Sequence, residues 1–239
     1  MIQRLSDLGS ARRTVRNARA LASASVPGPV PLGPARGRFV AWHRAPGTPG
    51  PLLLGGPDGT RMARQMGRLA RTLQEMPAGA VTADPAWRSP GALRRAAADW
   101  LEKLVAEEGD VRDRRASILA SIDAICRRGW SARPTHGDFV PANILMHRGR
   151  IEVLLDVTGL ALRHPEVDLG WWELVVRFHH PVEASRLARS FRRGYGATDA
   201  GLSERLRAVA AVRALQLAGA ARGGSTRSHS VALLSAAIG

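Results

Sequence analysis

Thr135–Leu145 reads THGDFVPANIL, and Leu154–Asp156 follows as LLD. His136, Asp138 and Asn143 share one short loop, and Asp156 closes the next apolar run. Val140-Pro141 sets a bend, because proline fixes φ and removes a backbone donor. From Asn143 to Met146 the chain runs into a strand. His147–Arg150 is a turn with Gly149 at a left-handed position, and Ile151–Leu155, apolar and partly β-branched, is a second strand. Such a hairpin puts Asn143 at its start and Asp156 at its end, both facing one cleft beside Asp138. An Asp that accepts a hydroxyl proton, with an Asn and an Asp offering hard oxygens to a cation, is the polar equipment of phosphoryl transfer from a nucleotide. Each piece alone has a plainer reading: an H-x-D loop as an Asx turn, an Asp after a strand as a cap. Their conjunction with Arg163–Gly170, RHPEVDLG, weighs against the plainer one.

Working outward, the chain has 239 residues, enough for one sizeable core or two small lobes. No apolar run is long enough to span a membrane. Cys126 is the only cysteine, which excludes an internal disulfide and favours a cytoplasmic setting. The net charge is +15, and Lys103 is the only lysine. The arginines are spread through every segment without interleaved aromatics. That pattern reads as compositional bias, so neither nucleic acid nor membrane is expected as a partner.

His136, Gly137, Asp138, Asn143 and Asp156 resemble the catalytic core of the aminoglycoside phosphotransferases and their small-molecule kinase relatives, distant cousins of protein kinases. The resemblance spans roughly residues 1–222 and is strong from 135 to 172. It implies an α+β, protein-kinase-like fold: a mostly helical carboxy-terminal lobe, a small β-hairpin at the active site and a vestigial amino-terminal lobe. It implies catalytic roles for Asp138, as base or orienting group, and for His136, which holds the loop. Asn143 and Asp156 are the implied ligands of Mg2+ and, through it, of ATP or GTP. Asp168 caps the next helix or anchors the catalytic loop; its role is structural.

Periodicity and breakers divide the rest. Helices are expected over 1–25, 58–76, 90–107, 110–128, 166–179, 182–194 and 202–221. A Pro/Gly connector covers Val26–Pro34, Arg38–Trp42 is a strand, and Ala45–Gly50 is a hinge-like turn. Residues 1–50 are then the remnant of the amino-terminal lobe and hinge, 51–222 the catalytic lobe, and 223–239 a tail, polar and loose from Gly223 to Ser230. Trp171, Trp172 and Phe178 are assigned to core filling near the site.

A kinase fold ordinarily covers the phosphates with a Gly-rich turn and pairs them with a lysine. Gly28, Gly33 and Gly37 lie among prolines after the first helix, and Lys103 falls in a later one. Two readings follow: a phosphotransferase acting on a small hydroxylated substrate, impaired by the missing lobe, or a non-catalytic relative that binds or regulates. A polycationic acceptor is not expected. The segment expected to line the acceptor side, Phe178–Gly196, sets the single acid Glu183 among Arg186, Arg189, Arg192 and Arg193, although Asp99, Glu102, Glu107, Glu108, Asp110 and Asp113 leave a local acidic patch open. A neutral or anionic acceptor suits that segment better.

Overall fold

The computed structural model describes residues 1–127, 130–197, 199, 201–221 and 224–239. In chain order the elements are β1 (Ile2–Arg4), α1 (Leu8–Ser23), β2 (Phe39–Ala41), β3 (Thr48–Pro49), α2 (Pro57–Glu75), α3 (Pro90–Val105), α4 (Gly109–Asp113), α5 (Arg115–Cys126), β4 (Arg133–Thr135), β5 (Ile144–His147), β6 (Arg150–Leu154), β7 (Ala161–Arg163), α6 (Val167–His179), α7 (Ala184–Tyr195), α8 (Leu202–Ala220) and α9 (Gly224–Ile238). The architecture is the expected α+β, kinase-like one.

Three expectations are corrected. The first helix does not run from residue 1: Asp7 caps it, its carboxylate accepting from the Ser10 amide at 2.8 Å. Ile2–Arg4 instead pairs antiparallel with Phe39–Ala41. That strand depends on a partner far along the chain, which local periodicity does not register. The helix expected over 110–128 is two pieces, interrupted at Arg114; its last residue, Arg128, lies outside the described residues. The segment from Gly224 to Ser230, expected to be loose, belongs to α9. Leu233, Leu234 and Ala237 are buried there with Ser230, and the helix packs against α8. Arg222 and Gly223, at the expected boundary of the tail, lie outside the described residues.

The three small sheets are β1–β2, β3–β5–β6 and β4–β7, all antiparallel. In the β5–β6 hairpin His147 pairs with Arg150, which leaves Arg148 and Gly149 as a two-residue turn, at φ 49° and 75°. Two successive left-handed residues match the twist of the flanking strands. Gln65 of α2 clamps this turn, donating to Gly149 O and accepting from Ile151 N.

Two apolar cores flank α6. One joins α1, β2, α2, the hairpin and α7; the other joins α3, α5, α8 and α9. Adjacent residues of α6 face opposite ways. Trp172 stacks on Phe191 in the first core, 4.1 Å between centroids, and Trp171 packs into the second. The catalytic loop divides likewise: Phe139 enters the first core and Val140 the second.

Helices α2 and α7 approach backbone to backbone. A Cβ on Gly67 would collide with Phe191 O, and one on Gly194 with Arg64 O. Gly67→Ala is therefore expected to lower the unfolding free energy by about 3 kcal/mol in urea titrations, the upper end of the usual cost of overpacking. Gly33→Ala, with open space around it, is the control. Equal stabilities would refute the close packing.

Candidate active site

The loop between β4 and β5 is held from beneath by Asp168, at the start of α6. Its two carboxylate oxygens accept from the backbone amides of His136 at 2.7 Å and Gly137 at 2.8 Å. Burial pushes the Asp168 carboxyl up; the His136 ring, these two amides and Arg163 oppose that. Asp168 therefore anchors the loop, one of the two structural roles expected for it. Gly137 has φ 85°, and a Cβ there would lie 2.6 Å from Arg163 Nη1, so only glycine fits. Arg163 in turn donates to Asp84 at 2.7 Å and to Gly159 O at 2.8 Å. From the other side Arg213 of α8 donates to Gly137 O at 2.9 Å and to Gln216 at 2.6 Å. Burial drives the Arg213 pKa down to about 10, which leaves it charged at neutral pH.

Asp138 is half-buried, and both of its oxygens are engaged. Trp171 Nε1 donates to Oδ1 at 2.9 Å, and Asn143 Nδ2 donates to Oδ2 at 2.9 Å and to the Asp138 carbonyl at 2.8 Å. These bonds use the amide nitrogen of Asn143 and leave its Oδ1 for another partner. Asp156 follows β6 in the left-handed region, φ 49° and ψ 57°, an uncommon conformation for a residue with a side chain. Its neighbours are pinned: Leu155 N donates to Asn143 O at 2.7 Å, and Asn17 of α1 donates to Val157 O at 2.9 Å. The Asp156 side chain is exposed and has no hydrogen-bond or ion-pair partner among the described residues. Asn143 Oδ1 and the Asp156 carboxylate are thus uncommitted hard oxygen donors at the start and end of one hairpin. That donor set fits a small divalent cation, whose remaining ligands would be phosphate and water.

His136 is fully buried, and its Nε2–H donates to Leu155 O at 2.8 Å, tying the loop to β6. The ring is absent from the walls of the cavity that opens beside Asp138. That cavity, about 940 Å³, lies between α6, α8 and α9. Pro51, Pro141, Trp171, Val175, Leu217 and Leu233 are among its lining residues.

Two aromatic assignments and one arginine assignment change. Trp172 fills core, as expected. Trp171 also holds the candidate base, a role that its position one turn after Asp168 could have signalled. Phe178 is 38% exposed and is not core. Of the segment Phe178–Gly196, only His179 and His180 reach the cavity. Arg193 instead lines a separate groove with Arg61, Arg64, Arg68 and Arg150, and Arg192 forms a two-pronged ion pair with Glu173. The acids between 99 and 113 do not line the cavity either. Arg213 and α9 carried no sequence signal that pointed to the site.

A carboxylate on a cavity wall within a kinase-like frame is an arrangement that a phosphotransferase would use. The sequence model of the phosphotransferase enzyme family matches residues 1–208, and the chain belongs to that family. No curated protein matches the sequence. Solved structures share the fold. The macrolide 2'-phosphotransferase MphH from Brachybacterium faecium superposes with TM-score 0.68 at 23% identity, over 95% of this chain and 80% of its own. A choline/ethanolamine kinase family protein from Mesorhizobium loti gives 0.67 at 18% identity, over 99% and 80%. The GDP and kanamycin complex of APH(2")-IIIa gives 0.70 at 14%, over 99% and 92%. No helix among the described residues is long and apolar enough to cross a membrane.

Proposed function

We propose that the chain transfers the γ-phosphoryl group of ATP or GTP to a hydroxyl of a small molecule. The observation that carries this reading is the placement of Asp138 at the cavity wall, oriented by Trp171 and Asn143. Asp138 accepts the proton of the acceptor hydroxyl. The acceptor oxygen forms a bond to the γ-phosphorus, the bond from that phosphorus to the β–γ bridging oxygen breaks, and the nucleoside diphosphate leaves with the electron pair. Asn143 Oδ1 and Asp156 would hold Mg2+, which would neutralise phosphate charge when bound. His136, Asp168 and Arg213 do no chemistry; they keep the loop in place, and positioning is a large share of catalysis in this reaction. A GDP complex among the structural neighbours supports nucleotide use, and the lone Cys126 suits a cytoplasmic enzyme.

Neither Gly28, Gly33 and Gly37 nor Lys103 forms the usual phosphate grip, an observation that favours the second reading, a non-catalytic relative. Both are tested by titrating Mg-ATP and Mg-GTP into the chain and following turnover in a coupled assay. Weak but Mg2+-dependent nucleotide binding is expected, abolished in Asp156→Asn. Binding that ignores both Mg2+ and Asp156→Asn would defeat the ligand assignment. Metal-dependent binding without turnover of any hydroxyl compound would favour the non-catalytic reading.

A further inference from the structure

We infer that the acceptor is a bulky, predominantly apolar alcohol with at most one positive charge, held between the carboxy-terminal end of α6 and helix α9. The inference rests on the proposed phosphotransferase reading and names the substrate class of that site.

Charge is the first argument. Among the described residues of the cavity wall Asp138 is the only carboxylate. A polyamine placed there would bury ammonium groups with no partner, at a cost of several kcal/mol each. An anion finds no better match. Among the described residues of the wall Arg213 is the only guanidinium, and it is committed to Gly137 O and Gln216. Asp138 would also repel an anion.

Shape and polarity are the second. The cavity, about 940 Å³, is far larger than a choline-sized molecule needs, and Val140, Val175, Val176, Leu217, Ala220 and Leu233 form most of its apolar wall.

The third is the α6–α9 clasp. His179 and His229 stack across the two helices at 5.3 Å, and Phe178 meets both edge-on at 5.0 and 5.7 Å. Burial and the neighbouring His229 and His180 hold the His179 pKa below its usual value, so this ring is neutral at pH 7. Both stacked rings belong to the cavity wall. Helix α9 supplies Thr226, His229, Ser230 and Leu233 to the wall, and it lies wholly beyond the residues that the family model matches. The acceptor class therefore follows from this chain's own residues and not from family membership.

The test is binding without nucleotide, by calorimetry and thermal shift on the full chain. The probes are erythromycin and a neutral steroid alcohol, against kanamycin, choline and glucose 6-phosphate. Saturable binding of at least one bulky apolar alcohol, about tenfold or more tighter than any of the other three, is expected. The double variant Thr226→Glu/His229→Glu adds two carboxylates at exposed positions on the wall. It should fold normally, lose about tenfold in affinity for the apolar alcohols and gain affinity for kanamycin. Preferential binding of kanamycin, choline or the sugar phosphate by the unaltered chain overturns the inference. So does the absence of saturable binding by both apolar probes, and so does a folded double variant with unchanged preferences. Binding of an apolar alcohol by a chain that never turns over nucleotide would sink the phosphotransferase reading alone. Turnover of kanamycin with no affinity for apolar alcohols would sink this one alone.

Discussion

Asp138→Asn is expected to reduce phosphoryl transfer by about 10²–10⁴-fold, the usual worth of a positioned general base. Structure should survive the change. The asparagine oxygen can keep the bond from Trp171; its amide nitrogen faces Asn143 Nδ2, which loses that acceptor but has its bond to the residue 138 carbonyl, 2.8 Å in the parent chain, and, being half-buried, can turn to water. What is lost is the basic oxygen. The loss should fall mainly on kcat, with a melting temperature only slightly below that of the parent chain, since one hydrogen bond is worth about 1 kcal/mol. Steady-state kinetics on an identified acceptor, beside circular dichroism and a thermal melt, would decide it. Parental turnover in the variant would remove Asp138 from the chemistry.

Asp168→Ala should damage stability and activity together. It leaves two buried amides, of His136 and Gly137, without acceptors. Each orphaned donor costs about 1–3 kcal/mol, a large part of the total stability of an ordinary domain. The loop that carries Asp138 loses its floor at the same time. Asp168→Asn should be nearly as harmful, because its amide nitrogen would face one of the two N–H groups donor to donor. Urea unfolding of both variants, with turnover measured well below the melting point, provides the check. A midpoint equal to the parent's in either variant would show that the loop is anchored elsewhere.

The helices and the catalytic hairpin were readable because their signals are local. Met62, Met66, Leu69 and Leu73 recur at helical spacing and are buried on one face of α2. The apolar runs around Arg148-Gly149 made the hairpin and its turn plain. The placement of Asn143 and Asp156 at the two ends of that hairpin, with Asp138 just before it, was legible because their spacing is tied to it. What was not legible depends on distant partners. Strand β1 exists because Phe39–Ala41 is there to receive it. Helix α9 carries an apolar set at Leu233, Leu234 and Ala237, but the polar run GSTRSHS before it masked the start. The fate of the α7 arginines was settled by which face of that helix meets α2, where Gly67 and Gly194 let the backbones touch. Arg213 lies in a helix whose apolar residues are spread around its circumference, so no face was marked as the one that meets the loop.

Phe139 and Val140 have a mechanical consequence. They follow Asp138 directly and are seated in different cores, one on each side of α6. The candidate base is thus one residue from the seam between two apolar cores. A change of packing around Phe191 reaches Asp138 through Phe139, and one around Trp171 reaches it through Val140 or directly. Under the proposed reaction, turnover would therefore register small changes of packing on either side of α6.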